Sequence, residues 1–393
     1  MSLTLPNIKI PRILLRDADR LGGTVEGAFL CGDARFENGR LSALSLASGP
    51  CDTTLLPPLV EPHCHLDKCH TIDRMDDIGG DLTAAIEAQR ADKTNWTEAD
   101  IRNRALRGIE EYTRAGTGLI RSHVDWGDEA EPPLSWQVLT ELAADTPGLQ
   151  LCSLTSAIQM ADPAFAKTAS DAIPDGHALG VFVFNQPDHE IGIEQAFQQA
   201  QRLNLPLDFH VDEGLDPDLR GLEKIADTAI ATHHQGPILC GHAVSLASQS
   251  SDDVRRIADK LARANITVAT LPTTNLYLQG RRNGTPRQRG LTMLHELRRA
   301  GVRIVIGADN VRDAFCPVGR HDPLRTLELA VLAGHLDPPF HQWLPAITTD
   351  AARALGHAPM YVDNTPISRL LHAKAGDLST LISGAPLAPI PQE

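Results

Sequence analysis

From Leu55 onward the chain alternates repeatedly between short apolar runs and amphipathic helical runs. The apolar runs are LLPPLVEPHCH, TGLIRSHVD, LQLCSLTSA, ALGVFVFN, LPLDFHVDE, PILCGHAV, ITVATLP and VRIVIGADN, eight in all. Continuous apolar character suits strands buried on both faces, as in a parallel sheet. Between most of them stand helical patterns such as EADIRNRALRGIEEYTRAG, IEQAFQQAQRLN, GLEKIADTAIATHH, SDDVRRIADKLARAN and LTMLHELRRAG. These carry apolar residues at i, i+3 and i+4, and several close on Asn or Gly. Parallel strands need right-handed crossovers. Eight strands closing near residue 310 therefore predict a (β/α)8 barrel of the TIM type. A doubly wound open sheet is the alternative. It is weakened because no Gly-rich dinucleotide fingerprint follows a first strand.

The flanks read differently. Residues 1–55 hold short alternating runs (IKIPRILL, GAFLCG, ALSLA) broken by Gly, Asn and Pro, a pattern of small β-structure. They are predicted to form the N-terminal part of a small β-domain, with residues 56–358 as the barrel and 359–393 as the C-terminal part and tail. After the eighth strand, RTLELAVLAGHL and LPAITTDAARALG are predicted helices. A net charge of −14 repels phosphate backbones and anionic membrane surfaces, so neither nucleic acid nor membrane is an expected partner. No apolar run is long enough to span a bilayer. Pro6, Lys9, Pro11 and Arg12 interrupt any export-signal core. The seven scattered cysteines then read as reduced thiols, and the expected location is cytoplasmic. The expected partner is a small molecule and the expected assembly a homo-oligomer.

In such a barrel, chemistry collects at the C-terminal ends of the strands. Here those ends are polar: His63-Cys64-His65, His210-Val211-Asp212-Glu213, Gly241-His242 and Gly307-Ala308-Asp309-Asn310. His63 and His65 share one face of a strand and can both enter the barrel mouth. With His210 and Asp309 they make an N3O donor set suited to one catalytic divalent ion, Zn2+ or Fe2+, with a position open for water. A binuclear site would need a bridging ligand, commonly a carboxylated lysine on the fourth strand; ALGVFVFN has none. Glu213, three residues past His210, stands where a proton shuttle would. The plainer reading is a solvated loop acid. His242 is either a hydrogen-bonding group for the attacking water or a core histidine. Asp309 would bind metal and also accept a proton from water. His123 reads as a residue behind the ligands or in the core, and Cys64, facing away from His63 and His65, as core.

The segments EPHCHLDK, RSHVD, DFHVDE, GHA and GADN, together with NLYLQGRRNGTPRQRGLTMLHELRRAGVRIVIGADNV, resemble the amidohydrolase superfamily, and within it the cytosine deaminase branch. The similarity runs in order over about residues 55–335. The resemblance implies a (β/α)8 barrel with a small β-domain built from both chain ends. It implies His63, His65, His210 and Asp309 as ligands of a single metal, Glu213 as proton-shuttling acid and His242 as catalytic histidine. Three departures concern the substrate. The branch's ring-reading glutamine at the end of strand 3 is missing, so Ser156 or Gln159 would substitute. Asn310 replaces an acid, and Phe315 stands where a tryptophan is usual. The implied activity is hydrolytic deamination of an amino-substituted N-heterocycle, either cytosine or a substituted cytosine such as 5-methylcytosine. Alternatives are pterin, triazine, isoguanine or creatinine rings, cyclic-amide hydrolysis, or a catalytically silent metal-binding protein.

Overall fold

The computed structural model describes residues 2–391 apart from Asp77 and Asn283. Eight strands form one sheet in chain order: β1 (Leu59–Cys64), β2 (Thr117–Asp125), β3 (Leu149–Ser156), β4 (Leu179–Val183), β5 (Leu207–Val211), β6 (Ile238–His242), β7 (Thr267–Thr270) and β8 (Arg303–Ile306). Every neighbouring pair is parallel. The two ends of the sheet meet at the mouth, where the Asp309 amide donates to the His63 carbonyl at 2.8 Å and Cys64 bridges Asp309 in parallel. That contact excludes the open-sheet alternative.

A buried carboxyl reinforces the seam. Glu61, on β1, accepts from the His63 amide at 3.0 Å and from the Ala308 amide at 3.1 Å. Burial pushes its pKa up to about 8, so it is largely neutral at pH 7 while still accepting both bonds. Two glycines make room at the same level. A Cβ at Gly307 would meet the Glu61 carboxyl at 2.9 Å, and one at Gly241 would meet the His63 ring at 2.9 Å. The sequence pairs Gly241-His242 and Gly307-Ala308 therefore reflect close packing around His63.

Deeper in the barrel lies a fully buried ion pair, Arg121 Nη1 to Asp208 Oδ2 at 2.8 Å. Gln150 Oε1 accepts from Arg121 Nε at 2.8 Å. A buried charge is tolerated only when paired and hydrogen-bonded in this way. The helical runs read from sequence form helices His189–Leu203, Gly221–Ala231, Ser251–Arg263 and Pro323–Gly334 outside the barrel. LPAITTDAARALG becomes a 3-10 stretch, Phe340–Ile347, followed by helix Thr349–Ala354.

The chain ends share a second sheet of seven strands. Its order runs Ala388–Pro389, Leu371–Lys374, Thr53–Leu56, Ser2–Pro11, Phe29–Glu37, Thr24–Glu26, with Arg40–Ser45 also paired to Phe29–Glu37. The C-terminal tail thus returns to the N-terminal β-structure. Among the described residues no helix is long and apolar enough to cross a membrane.

Candidate active site

Strand ends β1, β5, β6 and β8 converge on one cluster. His63 Nε2 lies 3.0 Å from His210 Nε2, and His65 Nε2 lies 3.2 Å from the same atom. Asp309 Oδ1 is 3.5 Å from His63 Nε2 and 3.2 Å from His65 Nε2. Neither Asp309 oxygen has a hydrogen-bond donor. A tetrahedron of ligands about 2.1 Å from a zinc ion has edges of about 3.4 Å. The measured separations match those edges, and lone-pair atoms left facing each other in a dry site are what a cation would relieve. The donor set therefore fits one divalent ion.

The electrostatics agree. Burial pushes the His210 pKa well down, helped by His63, His123 and His242. Burial likewise lowers His65, with Lys68 adding to the effect. Neutral imidazoles are the form that ligates. His123 packs under His63, with ring centroids 4.0 Å apart, and turns Nε2 toward Asp208 at 3.2 Å. It lies beneath the cluster, held by the buried ion pair. Cys64 is fully buried and points Sγ at the Arg121 carbonyl, as the core reading required.

The loop after β5 turns sharply. Asp212 adopts a left-handed φ of 52°, and its carboxyl accepts from the Gly221 and Leu222 amides at the start of helix Gly221–Ala231. This anchor carries Glu213 over the cluster, 5% exposed, with Oε1 3.5 Å from His242 Nδ1 and without a hydrogen-bond partner. Left-handed φ values at His242 (69°), Ala243 (51°) and Asp309 (60°) place backbone strain around the same point, a common mark of functional sites. Asn275 Nδ2 donates to His242 Nδ1 at 3.0 Å, so the ring proton sits on the unpartnered Nε2. Burial lowers the His242 pKa to about 3, keeping it neutral.

Two carboxyls here are driven apart. Burial, reinforced by the charge of Asp309, pushes Glu213 well above the usual carboxylate range. Burial alone would raise Asp309 too, but the His63 and His65 imidazoles beside it, 3.5 and 3.2 Å from Oδ1, hold it well below.

Above the cluster opens a cavity of about 220 Å3 bordered by Glu213, His242, Asp309, Ser156, Gln159, Asn310 and Phe315. Ser156 and Gln159 form a capping box: Ser156 Oγ accepts from the Ile158 amide, and Gln159 Oε1 from the Ser156 amide at 2.9 Å. Gln159 Nε2 donates to the Gly127 carbonyl at 2.6 Å. Both ends of that amide are engaged in the local fold. Asn310 Nδ2 donates to Asp313 Oδ2 at 2.7 Å, and Phe315 stacks under the Lys68 ammonium at 4.8 Å. Lys68 itself is buried and paired with Asp125 Oδ1 at 2.7 Å. The remaining wall comes from helix Leu82–Asp92, through Leu82, Ile86, Gln89 and Arg90. Neither periodicity nor motif in the sequence marks this helix, Lys68 or Glu61 as functional. An acid inside an apolar strand was the available signal for Glu61. The apolar face of the helix is short and set off by Gly79-Gly80, so it gives little periodic signal.

Comparison with known proteins places this geometry. A profile described as the amidohydrolase family matches residues 105–358. The chain belongs to the amidohydrolase family. It is accordingly an enzyme that hydrolyses carbon–nitrogen bonds other than peptide bonds. A pterin deaminase of Rhizobium rhizogenes is 34% identical over 78% of this chain and 71% of its own length. The structure of a 5-methylcytosine deaminase from Klebsiella pneumoniae liganded with 5-fluorocytosine superposes with a TM-score of 0.81 and 25% identity, over 97% of this chain and 93% of that one. The N-isopropylammelide isopropylaminohydrolase of Burkholderia multivorans shares the fold, with a TM-score of 0.73 and 22% identity over 98% of this chain and 94% of that one.

Proposed function

We propose that this chain is a metal-dependent hydrolytic deaminase of an amino-substituted N-heterocycle. The observation that carries the reading is the pair of carboxyls, Glu213 raised and Asp309 lowered, beside a cluster of imidazoles at metal-ligand spacing. Carboxyls pushed in opposite directions mark an acid and a base. His63, His65, His210 and Asp309 would hold one divalent ion, Zn2+ or Fe2+. When bound, that ion supplies Lewis-acid activation of water, lowering its pKa toward about 7.

The side chains then divide the remaining work. Burial disfavours the charged form of Glu213, which suits it to carry a proton. It gives that proton to the ring nitrogen as the water oxygen bonds to the amine-bearing carbon. The same carboxylate takes one of the two protons of the added water and passes it to the amine, then takes the second as the ring carbonyl forms, which restores the carboxylic acid. The C–N bond breaks with its electron pair on nitrogen, ammonia leaves, and a ring carbonyl remains. His242 donates from Nε2 to the incoming oxygen and fixes its direction. Asp309 shares that orienting role and accepts a proton in competition with Glu213.

A pterin is the first candidate substrate, supported by the 34% identity to a pterin deaminase. A substituted cytosine is the second, supported by the Klebsiella enzyme. Cyclic-amide hydrolysis is less well supported, because β4 carries no lysine to bridge two metals. The test is kcat/KM for ammonia release by metal-loaded protein on pterin, 5-methylcytosine, cytosine, isoguanine, an aminotriazine and creatinine. Turnover of at least one ring supports the reading; no ammonia from any of them would overturn it.

A further inference from the structure

Among the described residues, the amide of Gln89 has no partner at either end. Gln89 is 2% exposed, both Oε1 and Nε2 lack a hydrogen bond, and the residue borders the cavity above the cluster. A buried amide left unpaired costs stability. No described residue hydrogen-bonds it, although the helix that presents it is anchored on both sides. Three residues further on, Asp92 accepts from Arg74 Nε at 2.7 Å and from Trp96 Nε1 at 2.8 Å. The apolar face of the helix packs through Ala85 against Leu278, Ala314 and Phe315. Gln89 is thus an amide held at the wall of the cavity by a rigid support. The other glutamine at the cavity, Gln159, has both amide ends engaged.

We infer that Gln89 reads the cyclic amide of the substrate. A carboxamide offers an N–H beside a C=O, and so does a lactam; the two pair through two antiparallel hydrogen bonds. The inference rests on the deaminase reading above and narrows its substrate class. The ring carries a lactam N–H and C=O in addition to the amine that leaves. Diamino rings and lactim ethers, which lack that edge, would leave the buried amide unpaired and be rejected. A site built to hydrogen-bond a group discriminates strongly against analogues without it.

The test uses the metal-loaded full chain and Gln89→Leu, a near-isosteric change. The paired probes are pterin and its lactim ether, 2-amino-4-methoxypteridine, or the corresponding pair for whichever ring the wild-type enzyme turns over best. The wild type is expected to favour the lactam by on the order of 10²-fold or more in kcat/KM. In Gln89→Leu that preference should fall to within about tenfold, with metal content unchanged. Because the lost amide was unpaired, its Tm should stay level or rise. An unchanged lactam preference would overturn the assignment, as would a large fall in Tm, which would make Gln89 structural. If the wild type released no ammonia from any ring, the deaminase reading would fail instead, so the two failures are distinguishable.

Discussion

Replacing Glu213 by glutamine separates chemistry from architecture. The carboxyl is 5% exposed and its pKa is raised by burial and by Asp309. Burial already disfavours its charged form, so a neutral amide of the same size should cost little stability. Glu213 is not placed among the metal ligands, so metal content should stay as in the wild type. Glutamine, however, cannot carry a proton. General acid–base groups contribute about 10²–10⁴-fold, and one used twice per turnover belongs at the upper end. The expected loss in kcat is on the order of 10³-fold or more, with KM little changed. The assay is steady-state ammonia release with metal stoichiometry and Tm measured on the same preparation. Normal kcat would remove Glu213 from the mechanism. Lost metal would make it a ligand and require the site to be redrawn.

Other expected outcomes follow from the same geometry. His63→Ala should lose the divalent ion and activity while keeping the circular dichroism of a folded barrel; two ions per active wild-type chain would refute the single-metal site. Glu61→Leu should destabilise the chain by about 2–4 kcal/mol in denaturant melts, because the His63 and Ala308 amides lose their acceptor in a dry seam. On acidification, His123 and His242, lowered to about 3, and His70, lowered to about 4, stay neutral in the folded chain while they protonate near 6.5 when unfolded. The stability they contribute is present above pH 6.5 and is lost toward pH 4, by about 1.4 kcal/mol per pH unit for the fully buried His123 and His242 and by less for the partly buried His70. A metal-free melt that is flat over this window would contradict the burial argument. Unmodified cytosine should be a poorer substrate than a substituted or bicyclic ring, and cytosine ranking first in kcat/KM would overturn that expectation.

Much of this was legible in the residues themselves. Continuous apolar strands separated by helices with 3.6-residue periodicity leave few architectures open, and the barrel follows. The cluster could be read because His63 and His65 alternate onto one face and because His210 and Asp309 end other strands. What periodicity could not show was the fate of individual polar groups. Gln159, offered with Ser156 as a substrate reader through the family resemblance, borders the cavity, and its amide also closes a helix start. Gln89 sits in a helix with a weak apolar pattern, and its value comes from a missing partner, a property only three-dimensional packing reveals. The tail strand Leu371–Lys374 is four residues long and pairs with Thr53–Leu56, more than three hundred residues away, so no local signal announces it.

Hydrolytic deamination requires that water replace an exocyclic amine on an intact ring. Turnover of the best substrate in 18O-labelled water, with ammonia and product mass measured together, tests this most directly. One ammonia per product and one 18O in a ring carbonyl are expected, with both abolished when a chelator strips the metal. A product that gains a whole water by ring opening, or ammonia release without 18O in the ring, would contradict it.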